Sequence, residues 1–246
     1  MSLLGIIGGS GLCDYKGLEI TDVRDIETPF GMPSAPVRMG LLDDKPVVFL
    51  PRHGEKHSIA PHRINYRANL WALHNIGVSH VLAVAAVGGL NSDFGPGTLA
   101  VPDQIIDYTF GREQSFFNDD FSADKHIDFT YPYDAELRDL MLDAARGMNT
   151  SMMDGATYGA VQGPRLETAA EIRRMARDGC DLVGMTGMPE AYLARELGMA
   201  YATLAVVANW GAGIADGELT MQQIHDTLAE GLDKVCSVIA AVTQSL

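Results

Sequence analysis

The stretch DLVGMTGMPEAYLARELGMAYATLAVVA, residues 181–208, decides the fold class. It opens on a short apolar run over 181–185, which reads as a strand. A helical segment follows over 189–197 and ends at Gly198. A second, longer apolar run over 201–208 reads as another strand. Pro189 suits the first turn of a helix, where its missing N–H has no intrahelical partner to lose, and Gly suits the end of one. Strand, helix and strand in direct succession point to an α/β protein.

The same alternation continues in both directions. Upstream, residues 167–177 predict a helix ended by Asp178-Gly179, with Arg173, Arg174 and Arg177 at its negative C-terminal pole. Downstream, Thr220 starts a last helix reaching about Val242, with Gln223 three residues on as a capping box. Nearer the N-terminus, residues 3–8, 46–50, 78–87, 98–106 and 156–161 are apolar runs of strand length. Residues 64–74 and 134–148 carry helical spacing, the first with Ile64, Ala68, Trp71 and Ala72 on one face. The pattern predicts one α/β domain over residues 1–246, with a central, mostly parallel or mixed twisted sheet covered by helices. Residues 111–133 are aromatic and aperiodic, and long loops of that kind are often functional.

Composition bounds the function. At 246 residues with 47% hydrophobic and 20% charged residues, the chain can bury a large core. No apolar run reaches the roughly eighteen residues of a membrane span. The first five residues carry no basic segment, so a cytoplasmic protein is expected. Cys13, Cys180 and Cys236 lie far apart without metal-ligand spacing and read as reduced thiols. A formal charge of −14 argues against a nucleic-acid partner, and an anionic substrate would need a local positive potential.

In open α/β sheets ligands gather beyond the carboxyl ends of strands, so the residues there are the candidates. Gly8-Gly9-Ser10-Gly11 is either a tight turn or a backbone cradle for an anion with Ser10 as an added donor. It matches neither G-x-G-x-x-G nor a P-loop, which speaks against a dinucleotide-binding module. Arg52-His53-Gly54, with His57 after it, follows an apolar strand directly; Arg suits bidentate phosphate binding. Thr186 stands near a helix start, where negative charge is favoured, and Met185 beside it is either core or a surface for a sugar. Glu167 reads as a helix-start carboxylate or a base ligand, and Asn209-Trp210-Gly211 as a turn or a base ligand.

Five segments in order, namely Gly5 to Leu12, Arg52-His53-Gly54, Asn65 to Asn69, Gly163 to Thr168 and Met185 to Glu190, resemble the purine nucleoside phosphorylase and methylthioadenosine phosphorylase family in its trimeric branch. The resemblance implies phosphate binding by Ser10, Arg52, His53 and Thr186, with the Ala85-Ala86 backbone lining the same pocket. It places Met185 against the ribose and His57 beside phosphate and sugar. It implies a homotrimer, with His126 lent by a neighbouring subunit to cover the 5' end. Phosphate is then a co-substrate, and no metal or organic cofactor is implied.

At the base site the resemblance divides. The adenosine-type pattern has aspartates at the positions of Asn209 and Gly211 and a small Ser at that of Glu167. Glu167 with Asn209 is instead the 6-oxopurine pairing, and the chemistry agrees: Asn donates to O6 or N7, and an ionised Glu accepts from N1–H. Met221 aligns with an apolar contact for a 5'-methylthio group. Together these imply phosphorolysis of S-methyl-5'-thioinosine, with methylthioadenosine and inosine or guanosine as the alternative substrates.

Overall fold

The computed structural model describes residues 2–9, 17–215 and 220–246, and of Met221 only the backbone. Ser10 and Cys13 lie outside the described residues. The strands are β1 (Leu4–Gly8), β2 (Leu18–Arg24), β3 (Val37–Leu42), β4 (Lys45–Pro51), β5 (His80–Gly89), β6 (Leu99–Val101), β7 (Gln104–Asp107), β8 (Met153–Asp154), β9 (Thr157–Ala160), β10 (Leu182–Gly184) and β11 (Ala200–Trp210). The helices are α1 (Tyr66–Asn75), α2 (Ala135–Gly147), α3 (Ala169–Asp178), α4 (Gly187–Glu196) and α5 (Met221–Ser245). All these strands join one sheet, whose main path runs β2-β3-β4-β1-β5-β10-β9-β7 while β11 pairs with β5 and leads to β6 and β8.

The sheet is covered on both faces, and β5 and β11 show why. Successive side chains of a strand point to opposite faces. Val81, Ala83, Ala85 and Val87 of β5, with Ala205 and Val207 of β11, pack with Leu70 and Leu73 of α1 and with Ala191 and Leu193 of α4. Leu82, Ala202, Leu204 and Val206 face the other way, onto Leu137 and Met141 of α2 and Val235, Val238 and Ile239 of α5. Two cores thus share one pair of strands. Truncating a leucine such as Leu82 or Leu204, both fully buried, to alanine costs about 2–5 kcal/mol at such sites.

Local chemistry sets the helix boundaries. Asn65 caps α1 by accepting from the Ala68 N–H at 3.1 Å, and Asp134 caps α2 through the Leu137 N–H. Thr168 with Glu171 and Thr220 with Gln223 form capping boxes at the starts of α3 and α5.

Two expectations need correction. Residues 98–106 form two strands, β6 and β7, because Pro102 brings no ladder donor and Asp103 instead accepts from the Ala156 N–H at 3.0 Å. Glu167 lies outside α3, before its cap Thr168, and is not a helix-start residue. The sheet is mixed, one of the two arrangements expected: β2–β3, β3–β4, β5–β10 and β6–β11 are antiparallel, and β2 and β3 carry no signal in the reading above. β2 is an edge strand whose charged Glu19, Asp22 and Arg24 face solvent, which protects an edge and hides it from an apolar-run search.

Candidate active site

The strand ends create a gap in the sheet. β1 pairs with β5 from Leu4 as far as the Ile7–Ala83 register, and β10 joins the same edge of β5 only at Gly88. Residues 84–87 of that edge therefore have no strand partner among the described residues. Ala86 is exposed in the middle of an otherwise buried strand. Backbone groups of successive strand residues also alternate sides, so the Val84 carbonyl and the Ala86 N–H point to the same edge. The Val84 carbonyl accepts from Arg52 there, and the Leu90 N–H, on the same alternation, reaches Asp181 O. The Ala86 N–H is thus aimed into the gap, at the place expected for Ala85-Ala86.

Arg52 enters the gap from the end of β4, its N–H bonded to Gly8 O. Two of its nitrogens are already committed to a carboxylate. The side chain is 3% exposed and makes a two-pronged pair with Glu190, Nε to Oε2 at 2.7 Å and Nη2 to Oε1 at 2.8 Å. Nη1 donates to Val84 O at 3.0 Å. Glu190 is fully buried on α4 and also accepts from the Tyr201 hydroxyl at 2.9 Å. Burial works against the Arg52 charge, but Glu190 more than offsets it and keeps the guanidinium protonated. These bonds take three N–H groups of a guanidinium that carries five.

The histidines are neutral at neutral pH. Burial pushes His53 down to about 4, against the Nδ1 bond to Ile59 O at 2.9 Å and helped by the Arg52 charge. That bond puts the proton on Nδ1 and leaves Nε2 as an acceptor. His57, in a left-handed backbone conformation, stacks on His53 at 4.4 Å between ring centroids. Burial lowers it too, followed by His225 and Arg52. With Arg52 matched by Glu190, oriented N–H dipoles carry much of the local field in a strongly acidic chain.

Thr186 is buried at the start of α4 and does not spend its side chain on capping; its N–H meets the Tyr158 hydroxyl at 3.4 Å. Met185 precedes it and touches the 162–167 loop. A Cβ on Gly163 would lie 2.5 Å from Met185 Sδ, so only glycine permits that approach. Asn209 follows a bulge in β11 and packs against Gly88, where a Cβ would come within 3.3 Å of Asn209 Nδ2. Asn209 Nδ2 donates to Trp210 O at 2.7 Å, which fixes the amide with its nitrogen as donor. The Gly211 N–H binds Gly89 O at 2.9 Å, and Gly213 packs on Ala169 at the start of α3, next to Glu167.

Glu167 is half-buried and opens onto a cavity of about 500 Å³ with Tyr108, Phe110, Gln162, Gly163 and Arg174 in its walls. Burial, with Glu171 adding to it, raises the Glu167 carboxyl above its usual range. Arg52, His53, Thr186 and Asn209 are not part of those walls, so the cavity marks the Glu167 end of the site and not the anion end.

His126 stands apart from this arrangement. It is exposed and packs edge-on against exposed Phe121 at 5.0 Å, with no hydrogen bond or ring contact to the site among the described residues. Ser10 and the Met221 side chain fall outside what is described. Two residues were given no role in the sequence reading. Glu190 holds Arg52, and Arg112 binds the carbonyls of Val161, Gln162, Met185 and Met188. Among the described residues no group of His, Cys, Asp or Glu could hold a metal ion, and no helix is long and apolar enough to cross a membrane.

Comparison with known proteins shows the family and the fold. The profile of the Phosphorylase superfamily matches residues 3–244. A probable S-methyl-5'-thioinosine phosphorylase of Xylella fastidiosa (strain 9a5c) is 52% identical, covering 92% of this chain and 96% of that protein. The 6-oxopurine nucleoside phosphorylase of Pyrococcus furiosus is 41% identical over 98% of this chain and 92% of its own length. The methylthioadenosine phosphorylase of Schistosoma mansoni, solved with adenine, superposes with a TM-score of 0.92 at 30% identity, covering 99% of this chain and 91% of that one.

Proposed function

The chain belongs to the Phosphorylase superfamily and is a pentosyl-transferring nucleoside phosphorylase, and on that premise we propose that it cleaves S-methyl-5'-thioinosine with inorganic phosphate. The products are hypoxanthine and 5-methylthioribose 1-phosphate, as in purine salvage. A phosphate oxygen bonds to C1' while the C1'–N9 bond breaks, and the electron pair of that bond leaves with the purine. The sugar passes through an oxocarbenium-like state between an anionic phosphate and a purine gaining negative charge. Groups that bind more strongly as that charge develops accelerate the step.

Phosphate sits in the β5 gap in this reading. The remaining N–H groups of Arg52, the Ala86 N–H and the Thr186 hydroxyl donate to it, while His53 Nε2 accepts from a protonated phosphate oxygen. Ser10 adds a further donor. Met185 lies along the ribose, His57 stands between phosphate and sugar, and Met221 meets the methylthio group. Phosphate is the only co-substrate, and the reaction calls for no metal or organic cofactor. The working form is a cytoplasmic homotrimer in which His126 covers the 5' end of a neighbour's nucleoside.

The substrate assignment is supported by the chemistry of two residues expected at the base end. Asn209 presents an amide nitrogen held as a donor, and Glu167 a half-buried carboxylate. Hypoxanthine offers O6 or N7 to the first and N1–H to the second. Adenine has no N1 proton and would leave two acceptors facing each other, at a cost of about 1–3 kcal/mol, or roughly one to two decades in rate. The likeness to a methylthioadenosine phosphorylase makes methylthioadenosine the second reading. Phosphorolysis rates on methylthioinosine, methylthioadenosine and inosine decide between them. Methylthioinosine is expected first in kcat/KM, and equal or better use of methylthioadenosine would overturn the base-site argument. Light scattering on the same sample tests assembly; a fully active monomer would remove the trimer and the role of His126 together.

A further inference from the structure

Arg112 lies at the start of the aromatic 111–133 loop, and no role was assigned to it above. Its guanidinium spans two loops of the site. Nη2 donates to Val161 O at 3.1 Å and Gln162 O at 2.9 Å, and Nε to Gln162 Oε1 at 3.1 Å. Nη1 donates to Met185 O at 2.9 Å and Met188 O at 2.5 Å, and lies 3.3 Å from the Tyr66 hydroxyl. The group also rests over the Tyr66 ring, 5.5 Å from its centroid. One side of the fork thus holds the strand end that leads to Gly163 and Glu167. The other holds the carbonyl of Met185, directly before Thr186, and that of Met188, two residues beyond it.

The acceptors in these bonds are carbonyl, amide and hydroxyl oxygens, all uncharged. Partly burying a cation among neutral dipoles is a poor route to stability, since desolvation is not repaid by an opposite charge. It is a good route to geometry, because a planar fork with five donors fixes several carbonyls at once.

We infer that Arg112 is a positioning residue, tying the Gln162–Glu167 loop to the Met185–Thr186 segment and thereby setting the distance between the purine and sugar sites. The inference rests on the phosphorolysis proposed above. Misplacing a site by about 1 Å can cost on the order of 100-fold in rate. Loss of the clamp acts on discrimination as well, since Glu167 reads the base only while it is held in register with the sugar.

The test compares wild type with Arg112→Ala and Arg112→Lys on methylthioinosine and methylthioadenosine. Arg112→Lys keeps the charge but offers a single point donor, so it serves if the alanine variant does not fold. The expected result is a rise in nucleoside KM, a fall of about 100-fold in kcat/KM for methylthioinosine, and a preference ratio falling toward one. Added guanidinium ion restores part of the activity of Arg112→Ala. A variant with wild-type KM and an unchanged ratio, whatever its kcat, overturns the inference, because a purely structural defect lowers only the active fraction. A wild-type enzyme that leaves methylthioinosine intact overturns the proposed function instead.

Discussion

Replacing Arg52 with alanine removes the guanidinium and leaves the Glu190 carboxylate, 0% exposed, with the Tyr201 hydroxyl as its remaining hydrogen-bond donor. Breaking a buried pair from one side costs about 3–5 kcal/mol, because a charge is left in a low-dielectric interior. In a chain of this size each kcal/mol is worth roughly 2–4 °C, so melting should fall by about 6–20 °C. The buried pair therefore makes Arg52→Ala a loss of stability as well as of phosphate binding. The double variant Arg52→Met, Glu190→Leu removes both charges and should recover most of the lost melting temperature while remaining unable to use phosphate. Wild type should melt higher as phosphate is added, by about 2.7 kcal/mol at a hundred times the dissociation constant, and the double variant should not. Differential scanning calorimetry with and without phosphate reads all of this. Should Arg52→Ala melt within about 2 °C of wild type, the pair is not the anchor described here.

Asn209→Asp puts an acceptor where Nδ2 now donates to Trp210 O. The methylthioinosine rate should fall by about two orders of magnitude, and the gap to methylthioadenosine should narrow or reverse; an unchanged ratio of the two kcat/KM values counts against Asn209 as a base donor. Glu167 titrates above the ordinary 4.5 because of burial, and it must be ionised to accept from N1–H. Use of methylthioinosine should therefore decline as the pH drops through a value above 4.5, sooner than with a solvated glutamate. Glu167→Gln should remove that acid limb, and a pH profile that keeps the limb in this variant would assign it to another group.

The sequence revealed those parts of the site whose signal is local. Gly8, Arg52, His53, Thr186 and Asn209 each follow an apolar strand, and the structure places each beside the end of a strand or in its last residues. What escaped is non-local. Glu190 closes one of the quoted segments, but its role shows only when Arg52, 138 positions away in sequence, is seen against it. Arg112 sits in an aperiodic loop, and its partners are backbone carbonyls, which no residue type announces. The edge strand β2 was missed because an exposed strand carries charge instead of an apolar run, and β3 beside it is a short run interrupted by Arg38 and Gly40. The split between β6 and β7 was visible as Pro102, and a run of apolar residues on both sides hid it.

An open strand edge invites another chain to add to the sheet, and proteins blunt such edges to stay monodisperse. The gap in β5 is an edge that cannot be used in that way. It is bounded by the β1 pairing at Ala83 and the β10 pairing at Gly88, and Arg52 already occupies the Val84 carbonyl. An incoming peptide strand needs several residues of uninterrupted ladder, and none is available. A compact tetrahedral anion, as proposed for this gap, needs only one or two N–H groups. By ending β1 early, the fold obtains a backbone receptor that is closed to self-association by its length alone.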